Sequence, residues 1–365
     1  MRDALSLGYV YTHSGQKVSL FEKDGLELFA NLLEGTPDSP DIEYYGIMQM
    51  YIRHVLGHAP TPIDSHHVVP AAVEHYETAL RDPVYWYFVK WIVYYIQEYK
   101  LREPHHYYLV KDLQYPGVKI ESMQVDRLVT YFDNFYTDLS HAVYYDHKHE
   151  TEPLHVRVRQ QRLNHKPFTY TINVHSDHSV DAVVRVFIGP KYDSHERLVD
   201  INHNRLNFYT IDKFIYHLPA GKTSIVRNSK QTLSVSDKTT YWQLYKRVMG
   251  AIKGTDEFVV DGSETYWGLP NRYILPVGTH GGLPYQFYVI ITPYVKGEGV
   301  VQKIPDEIYY PKVGSGFYFY DTHDAGFPFD KPVPYSDMWK EVENAFFYDV
   351  SIYHKGTEES LNVST

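Results

Sequence analysis

Residues 168–174 read F-T-Y-T-I-N-V, so Phe168, Tyr170, Ile172 and Val174 alternate with Thr169, Thr171 and Asn173. A period of two sends successive side chains to opposite faces of an extended chain, and the four apolar residues therefore share one face. β-Branched and aromatic residues suit such a half-buried strand. Comparable stretches occur at 155–159, 182–188 (A-V-V-R-V-F-I), 208–216, 225–235 and 286–291 (Q-F-Y-V-I-I). Strands of this length joined by polar turns predict an antiparallel sandwich, with long loops at 250–284 and 311–334.

Upstream of these strands the period changes to that of a helix. Residues 19–33 carry apolar side chains at helical spacing and meet a stop at Glu34-Gly35. A second helix is expected over 41–56, closing at Gly57, and a third over about 70–80. The fourth has the clearest start: Asp82 suits an N-cap and Pro83 the first helical position, with the run continuing to about Tyr99 before Pro104. A connecting segment over 113–135, which includes I-E-S-M-Q-V-D-R-L-V-T-Y-F, leads into the strands. The expected organisation is α+β, with a helical domain over 1–104 and a β-sandwich domain over 105–365. There is no internal repeat and no low-complexity segment.

Composition narrows the function. The 365 residues are 22% charged and 43% hydrophobic, enough for about two domains with substantial cores. A net charge of −10 argues against nucleic acid or an anionic membrane as partner. The most apolar stretch, 84–95, is interrupted by Lys90 and falls short of the roughly 18 residues a membrane span needs. The absence of cysteine excludes disulfides, thiolate metal sites and cysteine nucleophiles. Met1-Arg2-Asp3-Ala4 is no signal peptide, which leaves a cytosolic protein or one whose true N-terminus lies upstream.

The aromatics need a separate account. There are 36 Tyr, 17 Phe and 5 Trp, and Tyr-Tyr pairs recur at 44–45, 94–95, 107–108, 144–145 and 309–310. One reading is a tyrosine-rich core, since Tyr packs well when its hydroxyl finds a partner. The other is that the aromatic residues are themselves the cargo.

Residues 43–53 read E-Y-Y-G-I-M-Q-M-Y-I-R, and on a helix Gln49 and Arg53 stand one above the other. This stretch resembles the helix that carries two copper-binding histidines, four residues apart, in arthropod hemocyanins and phenoloxidases. Gln49 and Arg53 occupy the matching positions. The third ligand of that site follows an R-D-P motif; here Arg81-Asp82-Pro83 is in place and Val89 stands at the ligand position. Copper needs converging neutral imidazoles, which these three side chains do not supply. Further blocks resemble the immunoglobulin-like C-terminal domain of the same proteins: R-L-N-H-K-P-F-T-Y-T-I-N-V at 162–174, V-F-I-G-P-K-Y-D at 186–193, G-L-P-N-R-Y-I-L-P-V-G-T at 268–279, G-G-L-P-Y-Q-F-Y-V at 281–289 and G-F-P-F-D-K-P at 326–332. They fall in the family's order and cover most of the chain.

Three lost ligands together with Tyr and Phe enrichment, and F-E-K-D-G-L-E-L-F-A-N-L-L-E-G at 21–35, resemble the insect hexamerins of the aromatic-rich, arylphorin-like kind. That resemblance implies the latter part of a hemocyanin-type helical domain followed by the immunoglobulin-like sandwich, with a first copper half-site upstream of residue 1. It also implies a non-enzymatic storage protein without cofactor. Such a protein is secreted into hemolymph, assembles as a homo- or hetero-hexamer of related subunits, and is held later in fat-body granules after uptake by a receptor. The alternatives are a type-3 copper protein, either oxygen carrier or phenoloxidase, and a carrier of small apolar ligands.

Other constellations carry less. His54 and His58 have metal-pair spacing, with His66, His67 and His75 close by, but His54 points about 100° away from the Gln49–Arg53 face. Asp146, His147, His149, Glu150 and Glu152 read as an exposed polar loop. Asp177-His178 and His323-Asp324 lack a nucleophile motif, and Ser14-Gly15 and 314–316 are too short for phosphate loops. Asn362-Val363-Ser364 is a glycosylation sequon that suits a secreted protein.

Overall fold

The computed structural model describes residues 1–22, 24–57, 71–74, 78–138, 155–232, 234, 241–255, 257–258, 270–294, 323–324 and 326–355. The chain divides into two compact units, residues 1–108 with 326–334, and 109–325 with 335–365.

In the first unit α1 (Arg2–Leu7) leads into an antiparallel hairpin of β1 (Tyr9–Tyr11) and β2 (Lys17–Ser19). The helix expected from residue 19 starts later, as α2 (Gly25–Glu34), because Lys17–Ser19 is already committed to pairing with Tyr9–Tyr11. A side chain at Gly25 would lie 2.0 Å from the Leu20 carbonyl oxygen, so the entry to α2 requires glycine. The helix expected over 41–56 is divided at Gly46, whose φ of 75° is left-handed, into α3 (Ile42–Tyr45) and α4 (Met48–Leu56). Of the third expected helix, the described residues form two single 3-10 turns, Ala72–Glu74 and Ala79–Arg81. The fourth is α5 (Pro83–Lys100), and the Asp82 carboxylate accepts the Val84 N–H at 2.9 Å, as its N-cap position predicts.

The core of this unit gathers Leu5, Val10, Leu20, Phe29, Leu32 and Leu33 around Tyr99 of α5. The Tyr99 ring stacks on Phe29 at 5.2 Å, and its hydroxyl donates to the Leu20 carbonyl at 2.6 Å. Segment 326–334 is held into the unit by charge. Lys100, itself buried, reaches Asp330 at 2.6 Å, and the Tyr108 hydroxyl donates to the same carboxylate at 3.0 Å. Lys331 pairs with Glu103 at 2.8 Å.

Among the described residues the second unit is a sandwich of nine strands: β3 (Val118–Val125), β4 (Leu128–Asp138), β5 (Arg157–His165), β6 (Thr169–Ser176), β7 (Val180–Pro190), β8 (Tyr209–Leu218), β9 (Gly221–Asn228), β10 (Leu283–Pro293) and β11 (Ala345–His354). One sheet has the order β5-β4-β11-β10-β7-β8 and the other β3-β6-β9. All pairs are antiparallel except β4 with β11, which run parallel over Leu128–Thr130 and Ile352–His354. The segment expected to be a connector over 113–135 is instead β3 and β4, and each belongs to a different sheet. A helix at Tyr241–Ile252 and the strand β11 also go beyond the sequence expectation.

The alternation at 168–174 is reproduced in the fold: Phe168, Tyr170, Ile172 and Val174 are buried and the residues between them are half-buried. They meet Val184, Val186, Ile188, Phe214, Phe287, Val289 and Ile291 of the opposing sheet in one continuous core. Burying each such side chain contributes about 1.5–3 kcal/mol. Within this core lies one ionic group. Arg227 of β9 donates to Asp212 of β8 from Nε at 3.1 Å and from Nη2 at 2.9 Å, and Tyr170 of β6 donates its hydroxyl to Asp212 at 2.5 Å. All three side chains are essentially inaccessible to water, so the cluster links the two sheets from inside. Burial pushes the Asp212 carboxyl above the usual carboxylate range, while Arg227 and its other donors pull it down.

Candidate functional site

The site to test is the pair α4 and α5, where the sequence places Gln49, Arg53 and Val89. Arg53 sits on the last full turn of α4 and is half-buried. Its guanidinium lies over the Phe88 ring of α5, 5.2 Å from the centroid. Phe88 is buried and stacks on Trp91 at 5.9 Å. The Arg53 Nε is enclosed and has no hydrogen-bond acceptor. Val89, the next residue of α5, is half-buried beside this contact. Gln49 falls one turn before Arg53 in α4, and its side chain lies outside the described residues.

The chemistry of these groups is plain. A guanidinium carries a full positive charge and no lone pair free to bind a metal. A valine has no donor atom. What the pair can do is pack: an arginine face over an aromatic ring is a cation–π contact of about 0.5–2 kcal/mol.

The histidine candidates resolve differently. His54 turns its Nδ1 to Glu74 at 3.0 Å, and the other Glu74 oxygen accepts the Ala71 N–H at 2.9 Å. The Ala71 N–H first, and His54 second, hold the Glu74 carboxyl below its ordinary value. This is a tie between α4 and the turn at Ala72–Glu74, not a metal pair. His58, His66, His67 and His75 lie outside the described residues, as do the group from Asp146 to Glu152, residues 314–316 and Asn362. Asp177 faces His175 at 3.4 Å rather than His178. His323 lies 3.5 Å from the Arg185 guanidinium, and Ser14 bonds Thr12 within the β1–β2 turn. Among the described residues no three His, Asp or Glu side chains converge as a metal would require. Sequence reasoning missed Phe88 as the seat of Arg53 and Glu74 as the partner of His54. The first depends on α4 and α5 packing against each other, and the second on the turn that brings residue 74 back to α4.

The tyrosines are distributed unevenly. Among the described residues only Tyr99, Tyr170 and Tyr288 are fully buried, whereas Tyr11, Tyr44, Tyr51, Tyr87, Tyr136 and Tyr335 are each at least half exposed. Others, including Tyr115, Tyr209, Tyr216, Tyr285 and Tyr348, are half-buried against the sandwich core, so core packing accounts for part of the enrichment and not for the exposed rings. No described helix is long and apolar enough to cross a membrane.

Two family profiles match this chain: "Hemocyanin, copper containing domain" over residues 1–96 and "Hemocyanin, ig-like domain" over 107–354. A hexamerin of Blaberus discoidalis is 39% identical over 368 residues, covering 100% of this chain and 50% of the relative. Larval serum protein 2 of Drosophila melanogaster is 35% identical, covering 97% of this chain and 52% of the relative. The chain thus spans about half the length of the curated relatives it matches. Among solved structures, a scorpion hemocyanin in its activated state aligns with a TM-score of 0.77 at 25% identity, over 97% of this chain and 56% of that one. The copper named by the first profile is not fitted by Arg53 and Val89, which offer it no donor and one repelling charge.

Proposed function

We propose that this chain, which belongs to the hemocyanin family, serves as a subunit of a non-enzymatic, hexamerin-type storage protein, a reserve of aromatic amino acids. The observation that carries this reading is the placement of tyrosine. The chain has 36, and several of the described ones stand at least half exposed, where folding does not require an aromatic ring; their value lies in being released by degradation. Gln49, Arg53 and Val89 are read as former copper-ligand positions, and the Arg53 contact with Phe88 supports that reading by giving the cation a packing role. We also propose that the helical domain passes to the sandwich domain at residues 104–105, after Pro104, four residues before the division between the compact units at 108–109.

The proposal extends to a hexamer of identical or related subunits in hemolymph, to uptake by a fat-body receptor and storage in granules, and to glycosylation at Asn362. The name of the hexamerin relative supports the six-fold assembly, and that of the larval serum protein supports the hemolymph. A net charge of −10 opposes aggregation at high concentration. Sedimentation velocity combined with metal analysis on the native protein tests the reading. A six-subunit particle with only trace copper is expected. A stable monomer, or copper in stoichiometric amount, would overturn it, and the latter would restore the type-3 copper alternative.

A further inference from the structure

A hydrogen-bonded chain of three side chains, Ser179 from the β6–β7 turn, Asp181 from β7 and His217 from β8, lies outside the α4–α5 pair. His217 of β8 stands directly opposite Asp181 of β7 in the strand register. Its Nδ1 is 2.7 Å from the Asp181 carboxylate, and its Nε2 is 3.1 Å from the Ser179 hydroxyl oxygen. With Asp181 accepting the Nδ1–H, the imidazole tautomer is set and Nε2 is left to accept the Ser179 proton. The backbone carbonyl of Asp181 also accepts the Tyr294 N–H at 3.1 Å.

We propose that Ser179 is a covalent acceptor site for electrophilic esters, phosphorus or carboxylic, that carry a good leaving group. With a fluorophosphonate the step balances as follows. The Ser179 oxygen forms a bond to phosphorus, the P–F bond breaks, the hydroxyl proton passes to His217 Nε2, and fluoride departs. The site captures rather than turns over. His217 and Asp181 are 66% and 57% exposed, so water screens the imidazole–carboxylate pair and nothing here accelerates release of the adduct. For the same reason the rate gain lies near the bottom of the range for a positioned base, about tenfold rather than the usual 10²–10⁴. This inference is independent of the storage reading.

The test is labelling of the full chain with a fluorophosphonate probe, followed by peptide mapping. Because all three side chains are exposed, Ser179→Ala, His217→Gln and Asp181→Asn are expected to leave the fold intact, as circular dichroism will verify. The expected result is one dominant adduct at Ser179, absent in S179A, formed about tenfold more slowly in H217Q and with an intermediate deficit in D181N. Adducts scattered over tyrosines and other serines, or labelling of Ser179 at an unchanged rate in H217Q, would overturn the proposal.

Discussion

Arg227 and Arg53 both lie over phenylalanine rings, and their surroundings differ. In the sandwich, Arg227 sits 4.3 Å from the Phe214 centroid with an aspartate, and its Nη2 also donates to the Gln231 carbonyl at 2.7 Å. In the helical unit, Arg53 lies 5.2 Å from Phe88, forms no ion pair among the described residues, and leaves Nε without an acceptor. Full burial makes a counter-ion obligatory, because an isolated charge cannot be taken out of water cheaply. Half-burial does not, since part of the guanidinium stays solvated. Arg227 is thus part of what holds two sheets in register, while Arg53 fills a position whose identity the fold constrains only loosely.

That contrast can be broken most forcefully in the sandwich. Arg227→Ala leaves Asp212 charged and unpaired between the sheets, and a loss of about 3–5 kcal/mol is expected, read as a fall in the denaturant midpoint. The paired replacement Arg227→Met with Asp212→Leu should recover most of that loss, because it removes both charges together.

Alkaline pH probes the sandwich domain through its buried phenols. Burial holds the Tyr170, Tyr209 and Tyr288 hydroxyls well above the usual phenol value. A group whose folded value is raised contributes stability that is complete below its unfolded value, about pH 10 for tyrosine, and is lost as pH rises towards the folded one. Stability should therefore fall above about pH 10, by about 1.4 kcal/mol per pH unit for each such phenol. Tyr288→Phe should reduce the slope. The check is an alkaline unfolding titration followed by tyrosinate absorbance and far-ultraviolet circular dichroism together.

The effects expected in the helical unit are smaller. Arg53→Met keeps the packing volume and removes an enclosed donor without an acceptor, so stability should stay within about 1 kcal/mol of the parent or rise slightly. Arg53→Ala, which also discards the contact with Phe88, should be the less stable of the two. Glu74→Gln weakens the tie to His54 and Ala71. The Glu74 value is lowered in the fold, so its contribution is present above the ordinary carboxylate range and lost as pH falls through the folded value. Being exposed, it should change stability by no more than about 0.5 kcal/mol, read as a difference in thermal midpoint between neutral and acidic buffer.

How much of this was legible beforehand follows from where the signal lies in the chain. Strands with one buried face, such as β6, announce themselves by alternation. Strand β11 (A-F-F-Y-D-V-S-I-Y-H) does not: it lies between β4 and β10, with apolar residues in consecutive positions. Within 113–135, Asp126 and Arg127 do not announce that the strands on either side join different sheets. Gly46 stood in view within E-Y-Y-G, yet nothing local says that it takes a left-handed conformation and divides the helix. At the candidate site the identities of Gln49, Arg53 and Val89 were readable as they stood. The ring under Arg53, the carboxylate beside His54 and the meeting of Ser179, His217 and Asp181 were not.

What the chain determined unaided is chemical: no thiols, an acidic surface, a surplus of tyrosine, and side chains without metal affinity where α4 and α5 carry Arg53 and Val89. Those properties belong to residues one at a time and survive any folding. Which charges are buried, which tyrosines are spared from the core and which distant groups share a hydrogen bond were decided by tertiary structure alone. Each depends on segments far apart in sequence being brought within a few ångströms, and the energies concerned exist only at that separation.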